Sequence, residues 1–119
     1  MGLLDRLRGT GNPPVEAQHA AVETAEQSAT RLLEEGMALE EEARLDEALQ
    51  RYDAAIQLTP ELARAHFNRG NILLDRGDAA HALAAYTQAV AYKPDSAAAH
   101  YNIGNALSLI HISEPTRPY

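Results

Sequence analysis

Asn68, Asn71, Asn102 and Asn105, with five histidines, are the residues of this 119-residue chain whose types and spacing could do chemistry. Asn68 and Asn71 are three residues apart, as are Asn102 and Asn105, and the two pairs are thirty-four apart. Spacings of three and four place side chains on one face of a helix. Arg64, Phe67 and Asp75 share that face in the first stretch, and Tyr101 shares it in the second. A side-chain amide both donates and accepts, so a row of amides could pair with the backbone of an extended peptide. The four asparagines are expected to project as surface groups, with Phe67 and Tyr101 beside them as apolar contacts.

The histidines raise the question of a metal. His66 and His100 occupy equivalent places, but neither has a cysteine or a carboxylate at ligand spacing. His19, His81 and His111 stand apart from one another. Glu40-Glu41-Glu42 spreads around a helix and reads as a solvated face, not as a paired acid and base. The glycines of GTG at 9–11 have no strand before them, so they read as linker. No G-x-S-x-G, G-x-x-x-x-G-K-[ST] or H-E-x-x-H pattern occurs. No catalytic residue, metal or cofactor is therefore expected, and the chain reads as a non-enzyme.

Composition narrows the partners. The formal charge of −7 is uneven: from Glu16 to Leu62 twelve acidic residues meet three basic ones, which is −9 and leaves +2 elsewhere. Phosphate binding needs clustered cations, and Lys93 is the sole lysine, so nucleic acid is not expected as a partner. The chain has no cysteine, hence no disulfide framework or thiolate site, which fits a reducing cytoplasm. No apolar run approaches the roughly 18 residues of a membrane span. Leu3, Leu4 and Leu7 could form one amphipathic turn, but MGLLDRLRG reads better as a tail, and no membrane partner is expected. The preference for Arg over Lys and the many alanines suggest a GC-rich bacterial source.

The asparagines need helices to carry them. Alanine is abundant and β-branched residues are sparse, which favours an all-α fold. GTGNPP at 9–14 breaks any early helix, and 15–30 reads as a weak helical lead-in. Apolar periodicity and the breaks at Thr59-Pro60, Gly77-Asp78 and Lys93-Pro94-Asp95-Ser96 predict helices near 30–43, 46–58, 62–76, 79–92 and 97–110. EALQRYDAAIQLTPELARAH then aligns with HALAAYTQAVAYKPDSAAAH at a shift of thirty-four residues. Helix pairs repeated at that period indicate a solenoid, with Ala48, Tyr52, Ala82 and Tyr86 buried between helices.

This pattern resembles the tetratricopeptide repeat. Gly36, Ala48, Tyr52 and Pro60 fit one copy, Gly70, Ala82, Tyr86 and Pro94 a second, and Gly104 opens a third. The departures are Leu32, His66 and His100 at the usual leading aromatic, Glu35 and Arg69 before the glycines, and Ala43 where the second copy has Gly77. His66 and His100 thus fall where the family puts a packing residue. The resemblance implies a tetratricopeptide-like α-solenoid of about two and a half helix-turn-helix repeats. The implied division is 1–28 as tail and lead-in, 29–106 as repeats (29–62, 63–96 and a partial 97–106), and 107–119 as a tail. It implies a protein-interaction scaffold that takes a protein or peptide in the concave groove, lined by Arg64, Phe67, Asn68, Asn71, Asp75, Tyr101, Asn102 and Asn105. Repeated groove asparagines are also similar to the ladder of O-linked N-acetylglucosamine transferases, so a substrate-binding region of a larger glycosyltransferase is the alternative. Glu34 and Glu41 near the groove suggest a ligand with basic character at that end.

LSLIHISEPTR resembles the translation of a transposon-end sequencing adaptor, so the chain is expected to be a fragment of a longer repeat array. Residues 107–119 then carry no functional weight. A repeat unit buries its neighbour's apolar side. An uncovered apolar edge, fraying beyond about residue 96 and self-association through that edge are therefore expected.

Overall fold

A computed structural model describes residues 22–113. They form five helices: α1 (Ala25–Glu41), α2 (Leu45–Leu58), α3 (Ala63–Asp75), α4 (Ala79–Tyr92) and α5 (Ala97–Ser113). No strand occurs among the described residues. The architecture is the expected all-α array of helix-turn-helix units. The N-terminal linker and the Leu3/Leu4/Leu7 turn lie outside the described residues.

Two boundaries differ from expectation. α1 starts at Ala25 because Thr24 accepts a hydrogen bond from the Gln27 amide while the Gln27 side chain accepts one from the Thr24 amide. This reciprocal cap satisfies two amide donors that the first turn would otherwise leave unpaired. Residues 25–30 are thus the first turns of α1, not a detached lead-in. α5 runs to Ser113, through residues that resemble adaptor sequence. The other breaks act as their residues dictate. Asp78 caps α4 through the His81 amide, and Ser96 accepts from the Ala99 amide at the start of α5.

The two turns inside the repeats have one geometry. Arg44 N–H donates to the Leu39 carbonyl and Ala43 N–H to that of Glu40; Asp78 and Gly77 repeat this with Leu73 and Leu74. This arrangement needs a left-handed residue just after the helix. Gly77 meets the need at φ 83°, whereas Ala43 is held at φ 60°, where its Cβ is strained.

The core is a row of alanines and two tyrosines. Ala48, Tyr52, Ala82 and Tyr86 are fully buried, as the repeat register requires. α1 packs on α2, α3 on α4 and α4 on α5, with α2 against α3 joining one repeat to the next. A Cβ built on Gly36 would stand 2.5 Å from Tyr52 Cε1, and one on Gly70 would stand 2.7 Å from Tyr86 Cε1. Each ring therefore lies directly on the backbone of the preceding helix. The unusual charges beside these glycines are also placed. Glu35 pairs with Arg31 and Arg51, and Arg69 pairs with Asp53 at 2.8 Å. Such exposed pairs contribute little, about 0–1 kcal/mol each.

The turns give the first prediction. Ala43→Gly should stabilise the chain by about 0.5–1 kcal/mol, because glycine adopts a left-handed conformation without a Cβ clash. Gly77→Ala should cost a similar amount through φ alone, since no atom lies within 4 Å of its built Cβ. Urea unfolding midpoints of the two variants should shift in opposite directions.

Candidate functional site

The first helices of the repeats form one layer. α1 touches α3, and Asn102 on α5 donates to Asn71 on α3 at 2.9 Å. The face that carries the asparagines belongs to this layer, and the second helices hold it in place from behind. The buried tyrosines do this directly. Tyr86 reaches from α4 through the gap left by Gly70, and its hydroxyl donates to Asn71 Oδ1 at 2.6 Å. Asn71 Oδ1 therefore accepts from both Tyr86 and Asn102.

The first repeat builds the same cluster from different residues. The Tyr52 hydroxyl donates to the Glu40 carboxylate, and Asn68 Nδ2 approaches that hydroxyl at 3.5 Å, the outer limit of a hydrogen bond. Glu40 is thus half-buried and engaged, so only part of the acidic run is a solvated face. Glu42 pairs with Arg44, and Glu41 is exposed. Asn68 itself is buried, so it is not the surface group that helical spacing suggested. Its amide belongs to the joint between repeats.

The remaining predicted residues divide into two groups. Phe67 is half-buried with its ring tilted against Tyr86, centroids 5.8 Å apart. Asn71 and Asn102 are half-buried and bonded to each other through Asn71 Oδ1. Arg64, Asp75, Tyr101 and Asn105 are exposed. Tyr101 is 72% exposed and stands as an isolated aromatic on α5. Asn71 Nδ2 and Asn102 Oδ1 have no hydrogen-bond partner among the described residues, so each fixed amide keeps one free valence.

Sequence reasoning passed over the two tyrosine hydroxyls, Glu40 and Lys93. Comparing the copies shows the signal. Glu40 stands where the second copy has Leu74, and Asn71 stands where the first has Met37. Each copy therefore offers its tyrosine one acceptor, from a different turn of the helix. Lys93 lines a cavity of about 220 Å³ between α3, α4 and α5, together with Arg64, Phe67 and Ser96.

The histidines serve the turns. His66 Nε2 meets the Pro60 carbonyl and His100 Nε2 the Pro94 carbonyl, each at 2.8 Å, and His66 stacks on Tyr92. Among the described residues no cluster of three His, Asp or Glu is placed to hold a metal.

A right-angled stack of helix pairs, repeated at thirty-four residues with a tyrosine wedged on a glycine, defines the chain as a helical-repeat solenoid. The family described as TPR repeat matches residues 41–77 and again 70–109, more than half of the chain. The chain belongs to that family. A search of curated proteins finds no match. Among the described residues no helix is long and apolar enough to cross a membrane.

The buried phenols give a pH prediction. Burial pushes Tyr86 up to about 12, with the Asn102 amide opposing the rise and the Asp75 carboxylate adding to it. Burial, then Glu40, raises Tyr52 as well. A raised folded pKa means the stabilisation is fully present below the unfolded value near 10 and is lost as pH climbs towards 12. For Tyr86 this amounts to about 2–3 kcal/mol. Unfolding followed between pH 9 and 12 should show that loss, and Tyr86→Phe should reduce its slope.

Proposed function

We propose that the asparagine-bearing face of α3 and α5 binds an extended peptide segment of a partner protein. TPR repeats are protein-interaction modules in general, and the observation that carries the specific reading is the Tyr86–Asn71–Asn102 cluster. A buried hydroxyl fixes the Asn71 amide before any ligand arrives, so less side-chain entropy is lost on binding. Asn71 Nδ2 can then donate to a peptide carbonyl, and Asn102 Oδ1 can accept from a peptide N–H. Asn105 extends the row, and Phe67 and Tyr101 supply apolar contact beside it. Glu34 and Glu41, both exposed on α1, favour a basic segment at that end of the ligand.

The glycosyltransferase reading draws less from the geometry. It asks for a ladder of free amides, and Asn68 is turned into Tyr52. The bare face of α5, where Leu107, Leu109 and Ile112 are exposed, supports self-association of the chain. A cysteine-free chain suits a reducing cytoplasm, and this reading puts the encounter there.

The test is selection of binders to the 119-residue chain from a random-peptide display library, followed by calorimetry on the selected sequences. Asn102→Ala and Asn105→Ala together should weaken binding by about 1–3 kcal/mol, given about 0.5–1.5 kcal/mol for each hydrogen bond lost. Neither change removes an acceptor from a buried hydroxyl, so the melting curve should shift little. Unchanged affinity in the double variant would make these asparagines structural only.

A further inference from the structure

The cations of this acidic chain are not distributed evenly between paired and free. Arg31, Arg44, Arg51, Arg69 and Arg76 each meet a carboxylate within 3.2 Å. Arg64 and Lys93 meet none among the described residues, although acidic residues surround them in the sequence. These two unpaired cations line the same cavity. The coincidence matters because an acidic protein offers many internal partners for an exposed cation. Two cations kept free at one place leave a local positive field without a protein counter-charge.

The cavity has a definite chemistry. Its walls are Phe67, Ala89 and Ala98, apolar and small apart from the one ring, and Ser96 adds a hydroxyl at the edge. At about 220 Å³ it falls below the roughly 300–1,000 Å³ of a small-molecule site. It suits one side chain of a longer ligand. The geometry points to a carboxylate-binding site: Arg64 and Lys93 take the carboxylate of an acidic residue whose methylene stem lies on Phe67 and the alanines. The inference rests on the peptide-groove reading, since Arg64 and Phe67 belong to the same face as Asn71. It adds a charge order to the ligand, acidic beside α3–α5 and basic beside α1. Arginine offers a fork that can hold both carboxylate oxygens, whereas lysine contributes a point charge.

The probes are three short peptides added to the ¹⁵N-labelled 119-residue chain at millimolar concentration. The first is acetyl-Ala-Ala-Glu-Ala-Ala-amide, the second has Gln for Glu, and the third is the Gln peptide with a free C-terminal carboxylate. The glutamate peptide should shift the Arg64 side-chain and the Phe67, Lys93 and Ser96 backbone signals. Its affinity should exceed that of the glutamine amide by about tenfold, the size of a charge-assisted hydrogen bond. Arg64→Gln and Lys93→Gln should each remove most of that difference. A response confined to the free-carboxylate peptide identifies a chain terminus as the source of the same group. Equal affinities for the glutamate and glutamine amides, with shifts only at Asn71, Asn102 and Asn105, would overturn the carboxylate site and leave the groove standing. Carboxylate-dependent shifts at Arg64 and Lys93 with the asparagine signals unmoved would support the site and sink the groove. No response to either carboxylate peptide would overturn the inference.

Discussion

The close approach of a tyrosine ring to a glycine backbone sets the geometry of this chain. Tyr52 lies on Gly36 and Tyr86 lies on Gly70, so near that no Cβ fits between them. That contact fixes how closely the two helices of a repeat can pack. It also uses the largest fully buried side chains of a core otherwise made of alanines. With few aromatics to spare, each repeat depends on one ring, whose burial contributes about 1.5–3 kcal/mol.

The same contact builds the polar face. A tyrosine that passes between helices carries its hydroxyl to the layer opposite, where a buried hydroxyl needs a partner. In the first repeat that partner is Glu40, and in the second it is Asn71. Asn68 and Asn102, at equivalent places, then reach back to these clusters from the following helix. The asparagines thus join consecutive repeats before they can serve a ligand. Those of the second cluster keep free valences pointing away from the core, which is why the proposed groove is centred on α3 and α5.

The repeat was legible in the sequence because its determinants are local in spacing. Gly70, Ala82, Tyr86 and Pro94 each recur from thirty-four residues earlier, and all five helices followed from that register. Even the missing glycine at Ala43 was readable as strain, and the structure holds it at positive φ. The asparagine face was less legible. Helical spacing shows which side chains share a face, but not which of them a neighbouring helix covers. Asn68 looks like Asn71 in the sequence, yet Tyr52 draws it inward. The Thr24 cap was missed for a related reason: its reciprocal bonds to Gln27 outweigh the weak apolar pattern around them.

The glycines allow the central constraint to be tested within one chain. Gly104 is the third member of the series, but no atom lies within 4 Å of its built Cβ. Glycine-to-alanine substitution inside a helix gains about 0.8–1 kcal/mol from propensity alone. At Gly70 a packing cost of about 1–3 kcal/mol should exceed that gain, whereas at Gly104 the gain should survive. The decisive measurement is therefore the urea unfolding free energy of Gly70→Ala beside that of Gly104→Ala. The account predicts a loss for the first and a neutral or stabilising effect for the second. Stabilisation by both would show that the rings do not press on the helix backbone, and the account would fail at its base.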